Sequence, residues 1–123
     1  MSTALATPPR CAYCSKITER FTTRSSNRKG NAGRPYYKCV PCDNFAVFDD
    51  ERGNDSRNPP CKGCGHPSKR QVAGHNTRVP GGIHYVCSRG TCNFYRRHLN
   101  KDGVQLAVLD PEVLSKLANL KLV

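Results

Sequence analysis

No tryptophan occurs in this chain, methionine occurs once, and phenylalanine and tyrosine together make up 7% of it. The apolar share is 37%, set against ten glycines and nine prolines. That composition excludes one large apolar core. No apolar run reaches the roughly 18 residues that suggest a transmembrane helix, so no membrane association is expected. The opening MSTALATPPR lacks an apolar h-region, so no secretory signal is expected and an intracellular chain is. Catalytic signatures are missing too. There is no His-x-Glu of a zinc deaminase, no Ser/His/Asp motif, and no Gly-x-x-x-x-Gly-Lys-Ser/Thr phosphate loop. Neither an enzyme nor a small-molecule substrate is expected. Acidic residues are scarce where it matters: none falls between residues 61 and 101, and one falls between 10 and 42.

What the chain does have is eight cysteines in four tight pairs: Cys11/Cys14, Cys39/Cys42, Cys61/Cys64 and Cys87/Cys92. Units of about 40 residues or fewer usually need disulfides, a metal or a partner to stay folded. A C-x-x-C turn puts two thiolates on one side of the backbone, which suits one edge of a tetrahedral zinc site. Two structural Zn²⁺ are expected, one on Cys11, Cys14, Cys39 and Cys42 and one on Cys61, Cys64, Cys87 and Cys92. A secreted disulfide framework is the main alternative; ferredoxin spacings are absent. A cross-braced grouping is the alternative to the sequential one. His66, just after a knuckle, is a substitute ligand to test.

The halves repeat. Cys11-x-x-Cys14 aligns with Cys61-x-x-Cys64, and Gly33-Arg34-Pro35-Tyr36-Tyr37-Lys38-Cys39 aligns with Gly81-Gly82-Ile83-His84-Tyr85-Val86-Cys87. In the first half, strands are expected near 16–23, at 36–40 and at 44–48, with two cysteine knuckles at one end, which is the plan of a zinc ribbon. In the second, 83–86 matches the middle strand, and the turn Asn100-Lys101-Asp102-Gly103 should fold 104–109 back as a hairpin. Asp110-Pro111-Glu112 then opens a helix, with Val113, Leu114, Leu117 and Leu120 on one stripe. The expected fold is small, metal-stabilised and mainly β: two tandem zinc ribbons of short antiparallel sheets, a C-terminal hairpin and a short α-helix. Residues 1–10 read as a disordered tail, 11–48 as the first ribbon, 49–60 as a solvated polar linker, 61–109 as the second ribbon with its hairpin, and 110–123 as the helical segment. The linker's acids lack the spacing of a calcium loop.

At Asn31-Ala32-Gly33-Arg34-Pro35-Tyr36-Tyr37-Lys38-Cys39 the sequence resembles the GRF-type zinc finger, which runs from a Gly/Asn-rich loop into Gly-Arg-x-Phe-Tyr-x-Cys. Cys92-Asn93-Phe94-Tyr95 looks like that family's final cysteine and aromatic pair. The second half departs from the pattern, with Gly82 where the arginine would sit. The resemblance implies binding of single-stranded DNA, and a nuclear location is expected with it.

Charge points the same way. The chain carries a net +11, and its cations gather on the cysteine modules while residues 43–60 hold five acids against two bases. Segregated basic modules favour a polyanion. Arg28, Lys29, Arg34 and Lys38 surround Tyr36 and Tyr37, and strand alternation should bury one tyrosine and expose the other as a stacking platform. Arg78, His84, Tyr85, Arg96 and Arg97 are the second module's counterparts. The reading from the other class is a structural subunit whose helix, 110–123, docks a protein partner. Packing of that helix on its own module is the alternative.

Overall fold

The computed structural model describes residues 5–24, 31–74 and 77–123. Two three-stranded antiparallel sheets are built from consecutive strands, β1 (Glu19–Thr22), β2 (Pro35–Cys39) and β3 (Asn44–Phe48), then β4 (Lys69–Val72), β5 (Ile83–Val86) and β6 (Tyr95–Arg97). Helix α1 spans Pro111–Asn119. The Asp110 side chain accepts the Glu112 amide at 2.9 Å and caps it.

Duplication extends to individual hydrogen bonds. In the first knuckle the Cys11 amide donates to the Lys16 carbonyl at 2.8 Å, and in the second the Cys61 amide donates to the His66 carbonyl at 2.8 Å. Thr23 N donates to Arg34 O at 2.8 Å, and Ala73 N to Gly82 O at 2.9 Å. Gly82 therefore occupies the backbone position of Arg34. Its lack of a side chain has a steric reason: a Cβ there would lie 2.7 Å from Gln105 Nε2 and 2.9 Å from Val79 O. Gln105 arrives on the C-terminal extension, which the first ribbon does not have. That extension is narrower than the expected hairpin. Leu99 and Gln105 form an isolated bridge, as do Gly82 and Ala107, but no continuous strand forms over 104–109.

Two segments differ from expectation. Residues 5–10 lie against the first ribbon instead of forming a free tail. The Leu5 amide donates to Asp49 Oδ1 at 2.9 Å, and the Pro9 carbonyl accepts from Thr18 Oγ1 at 2.7 Å. The polar stretch 49–60 is no solvated linker either; its Asp49, Asp50 and Asn58 are buried. Asp50 joins the two ribbons. It accepts Arg34 Nε at 2.7 Å and Nη2 at 3.0 Å from one side. From the other it accepts Lys69 Nζ at 3.0 Å on its side chain and at 2.7 Å on its carbonyl. Burial alone would push the Asp50 carboxyl up; the Arg34 hydrogen bond and the Lys69 charge outweigh it and hold it below the usual carboxylate range. Asn58 Nδ2 completes the seam by donating to Gly53 O at 2.8 Å and Ser68 O at 2.7 Å.

Gly53 is required where the connector crosses β4. Its φ is +77°, and a Cβ would sit 2.0 Å from the Arg70 carbonyl oxygen. A left-handed non-glycine residue costs about 1–3 kcal/mol, and the clash adds to it. Gly53→Ala should lose at least that much stability in a chemical denaturation; a loss under about 0.5 kcal/mol would mean the connector does not pass this close.

Candidate metal centres and nucleic-acid interface

Each knuckle turn aims its sulfurs at the same point as the cysteine pair that ends the following strands. The Sγ atoms of Cys11, Cys14, Cys39 and Cys42 all lie within 4.8 Å of one another, and so do those of Cys61, Cys64, Cys87 and Cys92. A zinc–sulfur bond of about 2.3 Å places tetrahedral sulfurs about 3.8 Å apart. Cys14 and Cys39 are separated by 3.5 Å and Cys64 and Cys87 by 3.8 Å. All eight are free thiols, and the grouping is sequential. The donor sets fit zinc, and the two hold one structural Zn²⁺ each. Four thiolates close the coordination sphere and leave no position for water or substrate. His66 belongs to neither set; its Nε2 lies 3.0 Å from Arg89 Nη1.

The first sheet turns one face inward with Tyr37, Cys39 and Val47, all buried. Its other face carries Phe21, Tyr36, Phe45 and Phe48. Tyr36 stacks on Phe21 with centroids 5.7 Å apart, lies 5.6 Å from Phe45, and Phe45 meets Phe48 edge-on at 4.9 Å. Strict alternation along β3 would send Phe45 to the side of Val47. A register shift between Tyr37 and Lys38 breaks the alternation and gathers the aromatics on one side. Phe21 and Phe45 are each 39% exposed. They edge a hollow of about 780 Å³ rimmed by Arg24 and Lys38.

Phe45 also borders a second hollow, of about 1020 Å³, over the second sheet. There Tyr95, largely exposed, stacks on His84 with centroids 4.9 Å and planes 29° apart. Arg78 and Arg97, both exposed, stand at its rim. Gln71 and Gln105 form part of its wall. The two hollows share Phe45 and so make one aromatic, basic-edged track across both ribbons.

The predicted surface residues divide. Tyr36 is half-buried on the outer face, and Tyr37 is the inward tyrosine. Lys38 reaches Asp43 Oδ1 at 2.6 Å; this hydrogen bond and charge push its ammonium up. Arg78 and Arg97 are in the second hollow, and Arg96 is exposed beside the knuckle at Lys62 and Gly63. Arg28 and Lys29 lie outside the described residues. Arg34 is a correction. It is 3% exposed, its guanidinium rests 3.7 Å over the Phe48 ring, and its donors are committed to Asp50 and Asn31. A buried, paired guanidinium is withdrawn from phosphate. Tyr85 is buried as well, hydrogen-bonded to His98 and lying under Arg70. His84 contributes a buried ring that backs Tyr95. Phe21, Phe45, Phe48, Gln71 and Gln105 escaped the sequence reading as surface residues, and Tyr95 entered it only within the motif Cys92-Asn93-Phe94-Tyr95. The pattern Asn44–Phe48 carried a signal for two of them, because phenylalanines three apart cannot both point inward on a regular strand.

Among the described residues no helix is long and apolar enough to cross a membrane. Residues 8–52 match the family model of the GRF-like zinc ribbon domain. No curated protein matches the chain, and no solved structure matches it.

Proposed function

From a GRF-like zinc ribbon at residues 8–52 and a second Cys₄ ribbon that repeats its hydrogen bonds, we propose that the protein is a non-catalytic module binding single-stranded nucleic acid, DNA foremost, in the nucleus. The observation that carries this reading is the track of exposed rings shared by the two sheets and edged by Arg24, Arg78 and Arg97. An unpaired base offers a ring the face that pairing and stacking in a duplex hide, and the phosphates need only nearby cations. The zinc ions hold the knuckles and thereby the sheets that present the rings.

Binding should be measured by fluorescence anisotropy against single-stranded DNA, single-stranded RNA and duplex DNA across salt. Single strands should bind more tightly than duplex. Tyr36→Ala and Phe45→Ala should each cost about 1–3 kcal/mol, the worth of a stacked base, without changing the salt slope. Arg97→Ala should make the slope shallower by about 0.7 for each phosphate that the arginine neutralises. Duplex affinity equal to that of single strands, with neither ring mattering, would refute the stacking reading.

One observation favours a role in protein docking. Helix α1 has no buried residue, and Leu109 and Leu120 are 63% and 69% exposed. If that surface is the working one, Val113→Glu with Leu120→Glu would release a co-purifying partner and leave strand affinity as it was.

A further inference from the structure

Two glutamines in the wall of the hollow over the second sheet, Gln71 and Gln105, carry side-chain oxygens with no donor among the described residues. His84 Nδ1 lies 3.1 Å from the Gly82 carbonyl oxygen, which only accepts, so Nδ1 carries the ring proton. Burial lowers the His84 pKa, an effect the Gly82 bond partly offsets, and the ring is neutral. Its Nε2 is therefore an acceptor, and the atom of Gln71 that meets it at 2.9 Å must be the amide nitrogen. Gln105 is oriented by the same logic, because its Nε2 donates to the Ile83 carbonyl at 3.1 Å. Both amides are thus fixed with Oε1 turned away from their partners. Both Oε1 atoms are shielded from solvent and have no hydrogen-bond partner among the described residues.

We propose that this hollow reads the edge of one unpaired base, and that Gln71 and Gln105 select a base bearing an exocyclic amino group. The proposal rests on the reading of the track as a single-strand site and adds a base preference to it. Two unpartnered acceptors call for a donor. An exocyclic amino group offers two hydrogens from one nitrogen on cytosine, adenine and guanine, whereas thymine, which has no such group, offers only its single N3–H. Tyr95 gives the base a face to stack on, with His84 behind it. Arg78 and Arg97 at the rim can take the adjoining phosphates. Both oxygens are covered in the unbound structure, and the soft terminal amide torsion lets either glutamine turn its oxygen toward the bound base. Among the described residues the first ribbon's hollow has no glutamine in its wall, and its polar acceptors Asn31 and Asp43 are already paired with Arg34 and Lys38, so it should stack bases without reading them.

Guanine and hypoxanthine differ only in the 2-amino group. Thymidine strands of roughly twelve nucleotides, within the usual range of site sizes, should be prepared with one central guanine or one central inosine. The zinc-loaded full chain should bind the guanine strand about fivefold more tightly, the worth of one net hydrogen bond. That ratio should fall toward one in Gln71→Met and in Gln105→Met. If either variant fails to fold, the side-chain amide resonances of Gln71 and Gln105 in the wild-type protein serve instead; they should shift with the guanine strand and not with the inosine strand. Equal affinity of the two strands, with salt-dependent binding intact, overturns the base reading and leaves the single-strand function standing. A ratio that survives in both variants overturns the assignment of the two glutamines. Failure of every strand to bind overturns the parent reading and this one with it.

Discussion

Removing zinc at neutral pH under reducing conditions should unfold both ribbons in one transition. Among the described residues, nine apolar side chains form the buried core, and four of them are the ligands Cys11, Cys39, Cys61 and Cys87. What remains is too little to hold a domain of this size. Zinc binding to small cysteine modules contributes about 10–16 kcal/mol, at or above the whole stability of a typical domain at about 5–15 kcal/mol. The ribbons should fall together because they share a seam: Asp50 bonds to both, and a Cβ on Gly90, in the Cys87–Cys92 turn, would come 2.6 Å from Val47 Cγ1 of the first sheet. Without metal the thiols cannot all ionise. Cys42 is pushed up to about 12 because its S–H donates to the Cys14 and Cys39 sulfurs, while Cys11 is drawn down to about 7 by the Tyr13 and Cys14 amides. Loading zinc must expel the protons of the raised thiols, so apparent affinity should weaken as pH falls. The check is an NMR spectrum before and after chelation, with zinc added back. A dispersed metal-free spectrum, or loss of one ribbon before the other, would contradict the expectation.

The second large effect belongs to Asp50. Arg34 and Lys69 have side chains 3% and 0% exposed, and both rest on this carboxylate. Asp50→Ala leaves two buried cations without it. Breaking a buried pair by removing one partner costs about 3–5 kcal/mol, and here one substitution breaks two. The variant should unfold at markedly lower denaturant at pH 7 with saturating zinc. Arg34→Met and Lys69→Met in the Asp50→Ala background should recover much of the loss, since they remove the stranded charges. The folded pKa of Asp50 is depressed, so its contribution is present above the ordinary carboxylate pKa and disappears as pH falls through the folded value. Protons also displace zinc on that side of neutrality, which is why the comparison belongs at pH 7. If Asp50→Ala is within about 1 kcal/mol of wild type, water reaches the seam and the pairs are solvated. Arg34→Ala should likewise act on stability, and the salt slope of strand binding should stay put.

Local chemistry was legible along the chain. Cysteine pairs follow from spacing because each turn brings its two sulfurs together locally, whatever surrounds it; that the pairs group sequentially and not cross-braced is decided by the fold. Strands at 44–48 and 83–86 occupy the expected residues because each is a short β-rich run bounded by a turn or a cysteine. Asp110 caps the helix as its position beside Pro111 requires. The outward tyrosine and the inward one followed from alternation alone. Tertiary structure decided the rest. Asp49 and Asp50 sit in a run of charged residues that reads as solvent-facing, and only the approach of β4 from the second ribbon supplies Lys69 to bury Asp50. Arg34 reads as a surface cation for the same reason, since its partner is 16 residues away. The register shift that turns Phe45 outward is a property of two paired strands, which neither strand shows alone. Gln105 faces the second hollow because the C-terminal extension folds back over Gly82, far behind it in the chain. Spacing specifies each cysteine pair because its geometry closes within a turn; a buried ion pair or a shared aromatic face depends on which distant segment comes to cover it, and that is settled only when the two ribbons pack.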